Sequence, residues 1–356
     1  MVEKLRKWLN RVFIDGLSGM AQGLFATLLV GTILEQIGLA VGGTVGSYII
    51  IIATVAKKLT GAGIGVAVAS KFKQPPLVTV SAGVAGMIGA FAGQIKAGTL
   101  LVDGVFTLAG VGEPLGAFIA AYVAVELGNL VSGKTQIDIL VSPIVSIVSG
   151  AVVGIFIGSP IAVFMTKVGE LINWGAVQEP FFAGIIVSAL MGIALTLPIS
   201  SAAIGISLGL NGIAAGAAAA GCCANMIGFA VASFRENKWG GLAAQGIGTS
   251  MLQMPNIIRK PVIWLPAIIT SVITGPISTC LFKMVNNPTG SGMGTCGLVG
   301  QLMGYQAMTE AGVGPVSAVL QIIAVHFLLP AALALIISEI MRKAGWIKPG
   351  DMKLDL

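Results

Sequence analysis

The sequence predicts an all-α polytopic membrane protein with about ten transmembrane helices and re-entrant hairpins between them. Three observations predict it. Residues 181–234, 54 in succession, include no Asp, Glu, Lys, Arg or His. One helix crosses the hydrocarbon core with about 20 residues, so this run has to cross, turn back and cross again. Residues 261–282 and 284–309 are also free of charge, and 311–338 are interrupted only by His326, the sole histidine. The composition is 56% hydrophobic and 10% charged, against about 25% charged in a soluble domain.

The first segment places Val2, Leu5, Leu9 and Val12 at helical spacing, with Lys4, Lys7 and Arg11 on another face and Trp8 beside them. This pattern predicts an interfacial amphipathic helix over residues 1–16, lying on anionic cytoplasmic lipid. It is not read as a signal peptide, because the next apolar run outlasts a normal h-region and Glu35 and Gln36 offer no small-residue cleavage site. Residues 17–343 read as one transmembrane domain and 344–356 as a cytoplasmic tail. Arg342, Lys343, Lys348 and Lys353 near the C-terminus predict, by the positive-inside bias, two cytoplasmic termini and an even number of crossings. The expected spans are 17–39, 44–56, 77–93, 114–131, 139–158, 181–197, 212–234, 240–257, 262–282 and 316–341. They put Lys57, Lys58, Lys134, Arg259 and Lys260 inside, and Arg235 and Lys238 outside.

Four apolar pieces, 61–70, 160–172, 199–210 and 290–303, are too short to cross. Non-helical backbone at membrane depth has to be buried in protein or face a water-filled cavity. These pieces read either as re-entrant hairpins, where transporters hold substrate, or as kinked helices and loops. The 50 glycines have a packing role. Gly150, Gly154 and Gly158, Gly212 and Gly216, and Gly83, Gly86, Gly89 and Gly93 recur at spacings that bring helix backbones close in lipid.

Several function classes fall away. The net charge of +6 is carried by short segments between apolar runs, as topology signals rather than as a nucleic-acid surface. The four cysteines, Cys222, Cys223, Cys280 and Cys296, have no spacing of a zinc or redox site, and no metal or cofactor is expected. The Gly-rich stretch 289–300 lacks the Lys-Ser/Thr ending of a phosphate loop. With one histidine and no nucleophile elbow, the chain has no soluble-type active site.

Polar side chains inside spans are the candidate site residues, since each costs free energy without a partner or water. Gln245, Thr249 and Gln253 stand at i, i+4 and i+8 of the expected 240–257 helix, with Asn256 three further on, which forms a polar stripe. Amides both donate and accept, so the stripe suits a neutral polyhydroxylated ligand, or equally a hydrogen-bonded seam between helices. Glu113-Pro114 and Glu179-Pro180 each begin a span, where an acid and a proline suit a helix start; either carboxylate can also accept sugar hydroxyls or a proton. His326 reads as a ligand-binding imidazole, a proton relay or an interhelical hydrogen bond. Asn211 and Asn225 flank the Ala-rich helix near the same cavity. Trp239, Trp264 and Tyr305 suit either sugar stacking or interfacial anchoring.

Residues 197–261 (LPISSAAIGISLGLNGIAAGAAAAGCCANMIGFAVASFRENKWGGLAAQGIGTSMLQMPNIIRKP) and 275–301 (GPISTCLFKMVNNPTGSGMGTCGLVGQ) resemble the membrane IIC-like components of bacterial phosphotransferase systems. The resemblance is to the branch described as sugar-specific IIC or as perfringolysin-regulator-like. It implies an IIC-like transporter fold with re-entrant hairpins, a homodimer and an elevator-type movement. It also implies a multi-pass protein of the bacterial inner membrane and a sugar or polyol substrate. In the family a Glu-Pro motif supplies a carboxylate to the sugar, which GVGEPLG matches through Glu113 and VQEPF through Glu179, and a membrane histidine assists, matched by residue type in His326. No IIA or IIB domain is present in the chain, so phosphoryl transfer would depend on separate cytoplasmic IIA and IIB proteins. The rival readings are a non-transporting membrane sensor derived from a permease and a proton-coupled transporter.

Overall fold

The computed structural model describes residues 7–354; residues 1–6 of the expected interfacial helix lie outside them. The described chain divides between Met165 and Thr166 into two compact units, where the sequence reads as a single domain over 17–343.

In the first unit, α1 (Lys7–Val41) contains residues 7–16 as its opening turns, so no break separates an interfacial helix from the first span. Gly42, at φ 65°, turns the chain into α2 (Gly43–Lys58). The two helices run antiparallel with Gly31 against Ala53 and Gly38 against Gly46. Glu35 and Lys57 join them in a 2.6 Å ion pair. α3 (Thr60–Lys71) bends 55° away from α2, so the apolar piece 61–70 is the second limb of a broken helix. α4 (Pro76–Ala90) follows, with Gly61 of α3 against Gly86 and Gly65 against Ala82. After α5 (Ala92–Ala97), β1 (Leu101–Val102) pairs antiparallel with β2 (Val105–Phe106). Asp103 and Gly104 between them both have positive φ, as a two-residue hairpin turn requires. α6 (Pro114–Val131) returns antiparallel to α4, with Gly116 at Gly89 and Gly128 at Val78. α7 (Asp138–Ala176) then lies with Gly150 and Gly154 against Ala120. Gly83, Gly86, Gly89, Gly150, Gly154 and Gly216 thus lie on packing faces, whereas Gly93 and Gly212 meet open space. The piece 160–172 is continuous with α7 and no hairpin.

The second unit is built around α10 (Gly212–Ala232), whose Ala- and Gly-rich sequence is almost wholly buried. Before it come α8 (Pro180–Thr196) and the short α9 (Ser201–Ser207). After it come α11 (Phe234–Ala243), α12 (Met254–Arg259), α13 (Pro261–Leu281), the single turn α14 (Pro288–Ser291), α15 (Val299–Glu310) and α16 (Pro315–Lys343). Gly221 of α10 rests on the Ser188 carbonyl of α8, and Gly275 of α13 on the Gly184 carbonyl. Only a residue without Cβ permits these approaches. The short pieces 199–210 and 290–303 pack on one another: Ser201 donates to the Gly292 carbonyl at 2.6 Å, and Gly294 presses on Cys222 of α10. Reciprocal bonds of 3.1 and 3.2 Å join Gly212 and Asn286.

Among the described residues, six helices are long and apolar enough to cross a membrane: α1, α6, Asp138–Ile157 of α7, α10, α13 and α16. The bent pair α2 and α3 brings the number to seven, and α4 and α8 are shorter apolar helices. The chain is therefore an all-α polytopic membrane protein. The expected span 240–257 is not a helix. Lys238 has φ 51° inside α11, residues Ala244–Gly248 form a π-turn, Thr249 is extended, and Ser250–Gln253 form a 3₁₀ turn before α12. Gly240, Gly241, Gly246, Gly248 and Pro255 explain the departure, since glycine and proline weaken a helix interior.

Gly221→Val should force α8 and α10 apart and cost about 1–3 kcal/mol. Gly93→Ala, which meets open space, should change little; thermal unfolding in detergent compares the two.

Candidate functional site

The amide residues of the broken 240–257 segment do meet, although no single helix face carries them. Gln245 donates to Ser233 Oγ and to the Gly241 carbonyl, both at 2.9 Å. Its carbonyl accepts from Gln253 at 2.9 Å, and the Gln253 carbonyl accepts from Asn256 at 2.9 Å. Thr249 lies at the break and caps the following turn, accepting from Met251 N at 3.1 Å. Gln245 and Gln253 are completely enclosed. The ladder continues into the C-terminal tail: Gln253 donates to the Met352 carbonyl at 2.9 Å and Asn256 to the Lys353 carbonyl at 2.8 Å.

A second cluster centres on Asn225 of α10. Its amide donates to Ser271 Oγ at 2.9 Å and to the Gly221 carbonyl at 3.3 Å. Its carbonyl accepts from Trp264 Nε1 at 2.9 Å and from Thr196 Oγ1 at 3.2 Å. Thr196 lies 2.8 Å from Ser250 Oγ, which ties the broken segment to α8 and α10.

The third cluster contains His326, in a π-turn of α16 (Ile323–Leu328). Gln301 Nε2 of α15 lies 3.2 Å from His326 Nδ1 and donates to Cys223 Sγ at 3.2 Å. With the amide donating to Nδ1, the ring proton sits on Nε2. His326 Nε2 and Gln301 Oε1 are both buried without a hydrogen-bond partner among the described residues. They form an unpaired donor and an unpaired acceptor in a bonded pair of side chains, in the middle part of a 29-residue helix.

The remaining candidates are dispersed. Glu113 belongs to the first unit, where its N–H donates to the Ala90 carbonyl at 2.8 Å and its Oε1 is buried without a partner. Glu179 is an exposed residue before α8, and its side chain makes no cap bond. Asn211 is exposed, with its amide on the Gly209 carbonyl at 2.9 Å. Trp239 is exposed against Phe234.

The family described as "Phosphotransferase system, EIIC" matches residues 14–354. The chain belongs to this family. It is a membrane component of the sugar phosphotransferase permease type. Among curated proteins, none matches the sequence.

The sequence did not single out Ser233, Thr196, Ser250, Ser271 or Gln301 of this EIIC chain. Gln301 had a usable signal, an amide in a charge-free run that also carries a glycine-rich loop. In residues 344–354 of the expected tail, Ile347, Met352 and Leu354 are buried and Asp351 pairs with Lys260 at 2.6 Å. Partial burial works to raise the Asp351 carboxyl, but the bonds from Lys260 and from the Lys348 N–H outweigh it and hold the group below its ordinary value.

Asn225→Leu leaves Trp264 Nε1 and Ser271 Oγ without this partner. The expected loss is about 2 kcal/mol, with a shift in Trp264 fluorescence; Thr196→Val should lose about half as much in the same thermal and fluorescence assay.

Proposed function

We propose that this chain is the permease component of a bacterial inner-membrane sugar phosphotransferase system, binding a small carbohydrate or polyol near mid-membrane and moving it by alternating access. The observation that carries the reading is the buried, unpaired donor and acceptor of His326 and Gln301. A sugar hydroxyl accepts from the one and donates to the other, and it also relieves the cost of leaving both unmet. Elsewhere in the second unit, Gln245, Thr249, Gln253 and Asn256 offer further polar contacts on discontinuous backbone, the kind of element on which transporters hold substrate. Asn211 supplies an amide at the start of α10. Of the two Glu-Pro carboxylates, Glu113, in the first unit, has a buried oxygen without a partner among the described residues, whereas Glu179 is exposed. In this reading a separate IIB protein, recharged by IIA, donates the phosphoryl group. The protein works as a homodimer in the lipid bilayer, with both termini cytoplasmic.

One observation favours a second reading, a sensor that binds without transporting. The Gln253 and Asn256 amides already donate to the chain's own tail, so this part of the segment is closed to a solute while the tail is seated.

Thermal unfolding of the detergent-purified protein with a panel of sugars and polyols tests the proposal. A ligand at 100 times its Kd should stabilise the fold by about 2.7 kcal/mol. His326→Leu should abolish that shift while the unliganded protein remains folded. A panel with no stabilising member would overturn carbohydrate binding, and stabilisation without counterflow uptake in proteoliposomes would select the sensor.

A further inference from the structure

The tail closes over both sides of the break at Thr249. Before the break, Glu236 accepts from the Gly350 N–H at 3.0 Å. Asn237 donates to the Met352 carbonyl and accepts from the Leu354 N–H, each at 2.8 Å. After the break, Gln253 donates to the Met352 carbonyl and Asn256 to the Lys353 carbonyl, while Lys260 pairs with Asp351 at 2.6 Å. The tail is folded in turns, with the Lys353 N–H on the Gly350 carbonyl at 3.2 Å, and it buries Met352 and Leu354 while Lys353 stays exposed. The root of the tail is fixed by Arg342 of α16, which donates to the Ala232 carbonyl at 2.9 Å and pairs with Glu236 at 3.3 Å.

Glu236, Asn237, Gln253 and Asn256 thus hold the main chain of the tail, with a socket for Met352 and a cation for Asp351. The occupant of this cradle is the chain's own residues 350–354. The segment's helical pieces are interrupted at Lys238, which has positive φ, and at Thr249, which is extended.

We propose that the C-terminal tail is a releasable strap whose seating on Asn237, Gln253 and Asn256 holds the broken 240–257 segment in place, so that release of the tail frees that segment to rearrange. The strap acts on the protein's own backbone, whatever solute is carried. Its seating rests on the Glu236 carboxylate, the amides of Asn237, Gln253 and Asn256 and one partly exposed ion pair, so it joins side chains from both limbs of the segment.

The test uses the full-length chain in a Cys280→Ser background, since Cys222, Cys223 and Cys296 are buried. Maleimide should label Lys353→Cys at least tenfold faster than Met352→Cys, and Lys260→Met should bring the slower rate toward the faster. Equal rates in the two single-cysteine proteins would overturn the seating of the tail. Hydrogen exchange then reads the consequence: Met352→Asp should speed exchange at least tenfold over residues 244–257 while Gly212–Ala232 stays protected. Should Met352→Asp loosen the whole fold, Lys260→Met with its socket intact carries the comparison. Unchanged exchange over 244–257 in a variant whose tail labels freely would overturn the control of the segment by the strap.

Discussion

A helix that breaks within a bilayer frees N–H and C=O groups that lipid cannot satisfy, and the protein has to satisfy them itself. The second unit is organised around that constraint. The chain abandons the helix at Lys238 within α11 and again at Thr249, between α11 and α12. The buried hydroxyls of Thr196 and Ser233 and main-chain carbonyls of the tail gather there. Thr196 meets Ser250, Ser233 meets Gln245, and Gln253 and Asn256 reach the backbone of residues 352 and 353. The Ala- and Gly-rich sequence of α10 follows from the same demand, since only small side chains let three neighbouring backbones come near enough to share polar partners.

The membrane class was legible in the sequence because charge is the costliest thing to leave in lipid, and a water-facing surface would not go without it for the 54 residues 181–234. Glycine spacing on α4 and α7 carried through to the packing for an equally direct reason: a close backbone approach leaves no room for Cβ. The two short pieces 199–210 and 290–303 were recognisable from length alone, and the fold pairs them. The segment 240–257 was misread because a span and a broken segment that doubles back have the same apolar composition. Its glycines spoke against a span, as did Arg235 and Lys238, which the expected topology placed on the opposite side from Lys260. The Asp103-Gly104 hairpin carried its own turn signal. The role of the tail was not legible, because Met352 and Leu354 alternate with charged residues much as they would in a solvated segment.

The candidate site divides in the same way. Residue type pointed to His326 and to the amides, but not to their partners, because Gln301, Cys223 and Met352 meet them only through the tertiary fold. The structure distinguishes two chemical situations that the sequence could not. In the amide ladder, donors and acceptors are matched internally and extended by the tail. At His326 and Gln301, one donor and one acceptor are left over, which is the condition a hydroxylated ligand relieves.

The central structural claim is that the chain enters and leaves the 240–257 segment at one end of the second unit, where Arg235 meets Glu339, Arg342 meets Glu236 and Lys260 meets Asp351. Labelling of Lys238→Cys, Arg259→Cys and Lys353→Cys by a membrane-impermeant maleimide, in vesicles of known orientation, measures it directly. All three should react from the same face of the membrane. Reaction of Lys238→Cys and Arg259→Cys from opposite faces would contradict the account and make the segment a crossing.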